Sequence, residues 1–148
     1  MKYGSSIIVT GTRFQLSTDQ VSCLENILSD VLVERAGTVF VSDSPTGVDQ
    51  VVRDMVEEYN WESSLEDRWD LQVISRNLGQ DCYTDMVGAC LRFREENFSK
   101  DHYALAVPGK QCLYTWSYVQ TLADEGIKVA VVSVNALDGR LAGSLEWY

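Results

Sequence analysis

Glycines, hydroxyls and arginines stand together at the ends of short apolar runs, where they could bind an anion. The first run ends in Gly11-Thr12-Arg13. The glycine lets the backbone approach a ligand closely, the next amides can point at an anion, and the arginine adds a fixed charge with a fork of donors. This turn is typical of a phosphate contact, although a glycine after a strand is also a common turn residue.

A second turn of this kind, Ser42 to Asp49, follows the second apolar run and opens a helix. The free N–H groups at a helix start form an anion site, and Thr46 and Gly47 stand at that start. The Thr46 hydroxyl can cap the helix, which we expect to begin near this residue. Asp49 falls in the first turn, where it either contacts a ligand or only balances the helix dipole.

A third turn, Pro108-Gly109-Lys110, follows the fourth apolar run. Lys110 either meets a phosphate there or is simply solvated. Tyr114, Trp116 and Tyr118 come next, at the start of a predicted helix. Trp116 falls on the apolar stripe and is predicted to be core, whereas Tyr114 and Tyr118 are candidates for contacts to a ligand ring or for a subunit interface.

Five short apolar runs carry these turns, and segments long enough for helices separate them. Buried strands that alternate with helices indicate a parallel sheet covered on both faces, so the predicted class is α/β, a Rossmann-like doubly wound sheet in strand order 3-2-1-4-5. Strands one and four are neighbours in that order, and the three turns converge at this switch point. The predicted strands are Ser6–Thr10, Thr38–Val41, Leu71–Ile74, Tyr103–Val107 and Lys128–Val134.

Helix boundaries follow from capping and stop signals. Ser17 to Gln20 has the layout of a capping box, and Gly37 ends the helix that follows. A third helix is predicted from Thr84 or Asp85 to about Phe98. A fourth is predicted from Leu113 to about Glu125, before Gly126.

Bulk composition bounds the class of protein. The 148 residues, 45% hydrophobic, suit one domain over residues 1–148. The absence of a long apolar run and of a signal-peptide layout predicts a cytoplasmic protein without membrane contact. Four cysteines without a CxxC pair and a single histidine argue against a metal site, and we expect no cofactor. The cysteines are predicted to be reduced and buried.

The net charge of −10 argues against extended nucleic-acid binding, whereas a small phosphorylated ligand needs only a few local amides and arginines. Acidic residues concentrate between residues 54 and 70, next to Trp61 and Trp69. Exposed indoles tend to mark contact surfaces or lids. The aromatic residues predict a homo-oligomer with the third or fourth helix at its interface.

The turns after the first, second and fourth predicted strands resemble those of the SLOG superfamily of Rossmann-like domains, most closely its YspA-like branch. The G-[ST]-R turn of that branch is matched by Gly11-Thr12-Arg13, and its G-G-A-x-G-A-D turn by Gly47 and Asp49 only. The A-G-x-x-R-N pattern of the third helix puts Arg92 at the arginine position. The P-G-G-x-G-T motif after the fourth strand is represented by the degraded stretch Pro108 to Thr115.

The resemblance covers roughly Ser6 to Val134 and implies a pocket for a nucleotide-derived, ADP-ribose-like ligand. The implied ligand-binding residues are Gly11, Thr12, Arg13, Thr46, Gly47, Asp49, Arg92, Pro108, Gly109, Lys110, Tyr114 and Thr115. Side chains replace family glycines at Asp43, Ser44, Lys110 and Cys112, which predicts a reshaped pocket. The glutamate used by LOG enzymes has no counterpart before Asp124, so no catalytic residue is assigned.

Three functions remain open from the sequence. The leading prediction is binding, for sensing or sequestration, of a nucleotide-derived molecule in bacterial or phage defence signalling. An alternative is a nucleotide N-glycosidase or phosphoribohydrolase-like enzyme that uses Asp49 or Asp43. A third is a ligand-free protein-interaction module with the acidic segment as its contact surface. A DprA-like role on single-stranded DNA ranks last because of the acidic balance.

Overall fold

The computed structural model describes residues 5–12, 14–35, 37–63, 68–74, 82–97, 101–107 and 120–132, without the side chains of 30–35 and 82–86. The strands are β1 (Ser6–Gly11), β2 (Thr38–Ser42), β3 (Asp70–Ile74), β4 (His102–Val107) and β5 (Lys128–Val131). The helices are α1 (Thr18–Arg35), α2 (Val48–Glu62) and α3 (Cys82–Glu96), and residues 120–124 are also helical. In this part of the chain, every helix is too short or too polar to cross a membrane.

The strands form one parallel sheet in the order β3-β2-β1-β4-β5, which confirms the predicted α/β, Rossmann-like topology. The central strand β1 has β2 on one side and β4 on the other. Ser6 is level with Thr38 of β2 and with His102 of β4. The carboxyl ends of β1, β2 and β4 therefore lie along one edge of the sheet.

Both faces of the sheet are covered by apolar side chains, because alternate residues of each strand point to opposite faces. On one face, Ile7 and Val9 of β1 pack in a cluster with residues of α1 and α2. On the other face, Ile8 packs with Phe40 and with residues of α3 and of the helical segment 120–124. The strands β1 and β4 are buried along their whole length, which explains the consecutive apolar residues Ile7–Val9 and Tyr103–Val107 in them.

Helix α1 begins where its capping box predicts. The backbone N–H of Ser17 donates to Oε1 of Gln20 at 2.9 Å, and the N–H of Gln20 donates to Oγ of Ser17 at 3.2 Å. These bonds satisfy amides that a helix start leaves without a partner. Gly126 has φ of +83°, as a glycine that ends a helix often does. The prediction of buried cysteines is confirmed for Cys23 and Cys90.

Both predicted ends of α3 shift, and β5 ends at Val131 rather than at the predicted Val134. Helix α3 begins at Cys82, two or three residues before the predicted start, and it ends at Glu96 rather than at about Phe98. The fourth helix up to residue 119 and the tail after Val134 lie outside the described residues. The small errors at α3 arise because helix ends without a strong cap residue carry little signal in sequence.

The two tryptophans of the acidic segment differ sharply in exposure. Trp61 is 88% exposed, as the sequence predicts, but Trp69 is only 3% exposed. The Trp69 ring stacks on Tyr59 with centroids 4.0 Å apart. Asn60 also holds the Trp69 backbone: its Oδ1 accepts from the Trp69 N–H, and its Nδ2 donates to the Trp69 carbonyl, each at 2.9 Å. The predicted surface role of Trp69 is therefore wrong.

Candidate functional site

Gly11 closes β1 at a point where no side chain fits. A Cβ atom at this position would lie 2.5 Å from the carbonyl oxygen of Val107 and 2.9 Å from Cγ2 of Val48. Both contacts are far shorter than a Cβ atom tolerates, and the first is with backbone. The glycine predicted to admit a ligand thus admits β4 and α2 instead, and it allows three elements to meet at the sheet edge.

Thr12 ties these three elements together. Its N–H donates to the carbonyl of Val107 at 3.0 Å, and its own carbonyl accepts from the N–H of Val48 at 3.0 Å. Its Oγ1 accepts from the N–H of Phe14 at 3.2 Å, which fixes the beginning of the β1–α1 loop. Thr12 is 3% exposed. The predicted site residue is therefore a structural junction at the carboxyl edge, between β1 and β4.

Gly47 starts helix α2 and has φ of +90°, a conformation that favours glycine. It occupies the N-cap position, where no side-chain cap bond is made, so the predicted capping by the Thr46 hydroxyl is wrong. Thr46 is exposed, and its carbonyl accepts from Oγ of Ser44 at 2.9 Å. The left-handed turn at Gly47 directs the start of α2 toward β1, where the Val48 N–H meets Thr12.

Asp49 is 2% exposed and lies in the first turn of α2. Its Oδ2 accepts a hydrogen bond of 2.5 Å from Oγ of Ser42, the last residue of β2. A buried carboxylate near a helix N-terminus is favoured by the helix dipole, and the Ser42 hydroxyl adds a direct donor. Asp49 therefore joins the first turn of α2 to the end of β2.

Arg53 is a site residue that the sequence analysis missed. Its Nη1 donates to the carbonyl of Ser42 and its Nη2 to the carbonyl of Ser44, each at 2.6 Å. The planar guanidinium thereby fixes the backbone where the chain leaves β2 and enters the loop before α2. The only available signal in the sequence is an arginine one helical turn after Asp49, and many exposed helix residues share that spacing.

The structure brings together only part of the predicted site. Gly11, Thr12, Gly47 and Asp49 meet at the carboxyl edge, with Thr46 exposed beside them. Arg92 is exposed on α3, which covers the opposite face of the sheet from α1 and α2, and its Nη1 is directed back along the helix toward Gly88. The remaining predicted residues, Arg13, Pro108, Gly109, Lys110, Tyr114 and Thr115, lie outside the described residues.

The opposite, amino edge of the sheet holds a buried polar row. Oγ of Ser6 lies 2.8 Å from Nδ1 of His102, whose Nε2 lies 3.0 Å from the carbonyl of Asn97. Because a carbonyl can only accept, Nε2 is assigned the proton and Nδ1 accepts from Ser6. Cys90 also bonds Ser6, but burial outweighs this contact and raises the pKa of its thiol to about 11. The polar side chains of this row thus form hydrogen bonds with one another and with the backbone.

An open cleft of about 540 Å³ lies beside that row. Each of its two cations is paired with an acid: Nη2 of Arg94 lies 3.3 Å from Oε2 of Glu125, and Nζ of Lys128 lies 3.6 Å from Oδ1 of Asp101. Glu95 adds a further acidic side chain to the lining. Exposed pairs of this kind contribute little to stability. Because its cations are already paired, the cleft offers a phosphate less than the carboxyl edge does.

Comparisons with known proteins add no family to this picture. Neither a family model, nor a curated protein, nor a solved structure matches the chain. The resemblance to the SLOG superfamily thus depends on the short motifs alone and stays a prediction.

Proposed function

We propose that this chain binds a nucleotide-derived small molecule, for sensing or sequestration, at the carboxyl edge between β1 and β4. The observation that carries the proposal is the meeting of β1, β4 and the start of α2 at Thr12. In doubly wound sheets, ligands bind outside the carboxyl ends of the strands where the strand order reverses, which here is the β1–β4 junction.

The start of α2 supports a phosphate at this edge. A helix N-terminus carries partial positive charge and directs N–H groups outward, which favours an anion. Gly47 places this start against β1, and Arg53 holds the loop that precedes it. Arg13, which follows Thr12 in the sequence, is the cation that we propose for the phosphate.

The surroundings of Asp43 and Asp49 favour binding without turnover of the ligand. Asp43 is exposed, and the Oδ2 of Asp49 already accepts from Ser42. A general acid or base needs a proton-transfer path to the substrate, and neither carboxylate offers a clear one. The phosphoribohydrolase-like enzyme is therefore an outcome of the test rather than a second proposal.

Calorimetry with ADP-ribose and with cyclic nucleotides tests the proposal. A charge-assisted contact contributes about 1.5–3 kcal/mol, so Arg13→Ala should weaken binding by about one to two powers of ten. The matched control is Arg68→Ala. It removes the same charge from an exposed position next to the amino end of β3, and it should leave the affinity unchanged.

Three results would change the conclusion. If no nucleotide binds the wild type, the proposal is wrong and the interaction-module reading takes its place. If a nucleotide binds but Arg13→Ala does not weaken that binding, the ligand lies elsewhere. If the wild type converts the ligand to product during the titration, the enzyme alternative replaces binding alone.

A further inference from the structure

Phe14 carries an aromatic ring that the fold leaves in water. The residue is 80% exposed, whereas Phe40 of the sheet is 4% exposed. The aromatic contacts that the described residues make join other rings, such as Phe40 with Phe93. An apolar ring in water forgoes the favourable transfer that burial would give it. The ring of Phe14 is therefore accessible to a flat partner that could cover it.

The backbone places Phe14 at the carboxyl edge, beside the β1–β4 junction. Its N–H donates to Oγ1 of Thr12 at 3.2 Å, and Thr12 bonds both Val107 of β4 and Val48 of α2. The backbone nitrogen of Phe14 is thus one hydrogen bond away from the residue at which three elements meet. In doubly wound sheets this is the edge where ligands bind.

The loop that carries Phe14 is fixed on both sides of this residue. Before it, Thr12 is bonded to two neighbouring elements. After it, Leu16 is 8% exposed and packs in the apolar cluster with residues of α1 and α2, and Ser17 opens α1 through its capping box. Because the backbone beneath the ring is already held, a ligand that covers the ring pays little to order this loop.

The aromatic face of Phe14 suits the base of a nucleotide better than the rest of that ligand. A base is flat and has a π-face, so it stacks on an aromatic side chain without any base-specific hydrogen bond. A phosphate is charged and hydrated and gains nothing from an apolar ring. In a nucleotide, one ribose joins the base to its phosphate, and Arg13, the proposed phosphate contact, directly precedes Phe14.

We propose that Phe14 is a ligand contact on which the base of the bound nucleotide stacks. The inference rests on the proposed function and specifies it: one loop, between β1 and α1, supplies the contacts to the base and to the phosphate. Any ligand that lacks a base forgoes the stacking contact.

Three substitutions of Phe14 test the contact by calorimetry with ADP-ribose. Phe14→Ala removes the ring, and Phe14→Leu keeps an apolar side chain without a flat face. Each should bind ADP-ribose about 5- to 100-fold more weakly than the wild type, as for the loss of one base stack. Phe14→Trp keeps an aromatic face and should retain the affinity to within about threefold.

Ribose 5-phosphate, which has no base, is the second probe. The wild type should bind it at least about 5-fold more weakly than ADP-ribose, and Phe14→Ala should bind it no more weakly than the wild type does.

Trp61→Ala is the matched control, because Trp61 is 88% exposed but lies at the other end of α2. It follows the first residue of α2 by 13 positions, which is about 20 Å along the helix axis. Its neighbour Asn60 bonds Trp69, next to the amino end of β3. This variant should bind ADP-ribose as the wild type does, and both Trp61→Ala and Phe14→Ala should melt within about 2 °C of the wild type.

The binding outcomes separate the two proposals. Unchanged ADP-ribose affinity of Phe14→Ala overturns the stacking contact and leaves the proposed function standing. Full affinity of Phe14→Leu, or an equal loss on Trp61→Ala, also overturns the contact, because neither result fits a stacked base at this edge. Equal losses of Phe14→Ala for both probes, or a clear fall in its melting temperature, do the same. Failure of the wild type to bind ADP-ribose overturns the proposed function, and the Phe14 contact falls with it.

Discussion

The N–H of Val48 donates to the carbonyl of Thr12 at 3.0 Å, which fixes the first residue of α2 to the end of β1. The N–H of Thr12 in turn donates to Val107 of β4 at the same distance. One residue thus sets the relative positions of three elements around the proposed ligand site. Changes that disturb this junction should alter stability and binding together.

Gly11→Ala should destabilise the protein by about 3 kcal/mol, as overpacking in a core does. The added Cβ would lie 2.5 Å from the backbone oxygen of Val107, and backbone cannot rotate away as a side chain can. Urea unfolding followed by circular dichroism measures the change.

Gly88→Ala is the matched control for that prediction. A Cβ there meets only the flexible end of Arg92, at 3.4 Å, and Gly88 lies inside α3, where alanine is favoured by up to about 1 kcal/mol. This variant should be as stable as the wild type or more so. Equal effects of the two substitutions would contradict the junction described for Gly11.

Arg53→Lys should lower stability by about 1–2 kcal/mol and weaken nucleotide binding, because lysine keeps the charge but cannot bond both Ser42 and Ser44. Thermal melts and calorimetry measure the two effects. Arg68→Lys is the control. Nε of Arg68 donates one long hydrogen bond of 3.3 Å to the carbonyl of Ser63, and this substitution should change the free energy of unfolding by no more than about 0.5 kcal/mol. If Arg53→Lys behaves like the control, the loop does not depend on the guanidinium.

Cys90 should make the protein less stable in alkali. Burial raises the pKa of its thiol from 9.0 to about 11, so between those pH values the folded chain keeps a proton that the unfolded chain has lost. More protons are then bound in the folded state, and the free energy of unfolding falls as pH rises, by about 2–3 kcal/mol in all. Below pH 9 this contribution is fully present.

Cys90→Val isolates that effect, because valine remains buried and does not titrate. Denaturant unfolding from pH 8 to pH 11 should show the wild type losing stability relative to the variant above about pH 9. Parallel curves for the two proteins would mean that the thiol does not govern this loss.

Truncation of Trp69 should lower the stability of the protein strongly, whereas truncation of Trp61 should change it little. Trp69→Ala removes a buried ring stacked on Tyr59 and should cost about 3–5 kcal/mol. Trp61→Ala removes a ring that is 88% exposed and should change stability by no more than about 0.5 kcal/mol. Thermal melts give both values, and a large loss on Trp61→Ala would show instead that this ring is covered, as in an oligomer.

The strand order was predictable because hydrophobic runs, turn residues and handed crossovers all point to one topology. The Ser17–Gln20 capping box was predictable for a similar reason, since its spacing is a local signal. The burial of Trp69 was not, because it depends on its stacking with Tyr59 and on the side chain of Asn60 nine residues earlier. Composition alone suggested an exposed ring.

The site was predictable in place but not in detail. The turns after β1 and β2 do meet, yet Gly11 serves packing, and Gly47 rather than Thr46 starts α2. Arg53 escaped notice because its role depends on which backbone carbonyls it faces in three dimensions. A sequence pattern identifies an edge of the sheet more readily than the partners found there.

Amide chemical shifts of ¹⁵N-labelled protein during titration with ADP-ribose test the central claim most directly. The account predicts that the largest changes fall on the amides of Gly11, Thr12, Gly47 and Asp49, at the carboxyl edge of the sheet. Changes concentrated on Gly126, Ile127 and Lys128, which line the cleft at the amino edge, would contradict it. So would a spectrum that does not change at saturating ligand.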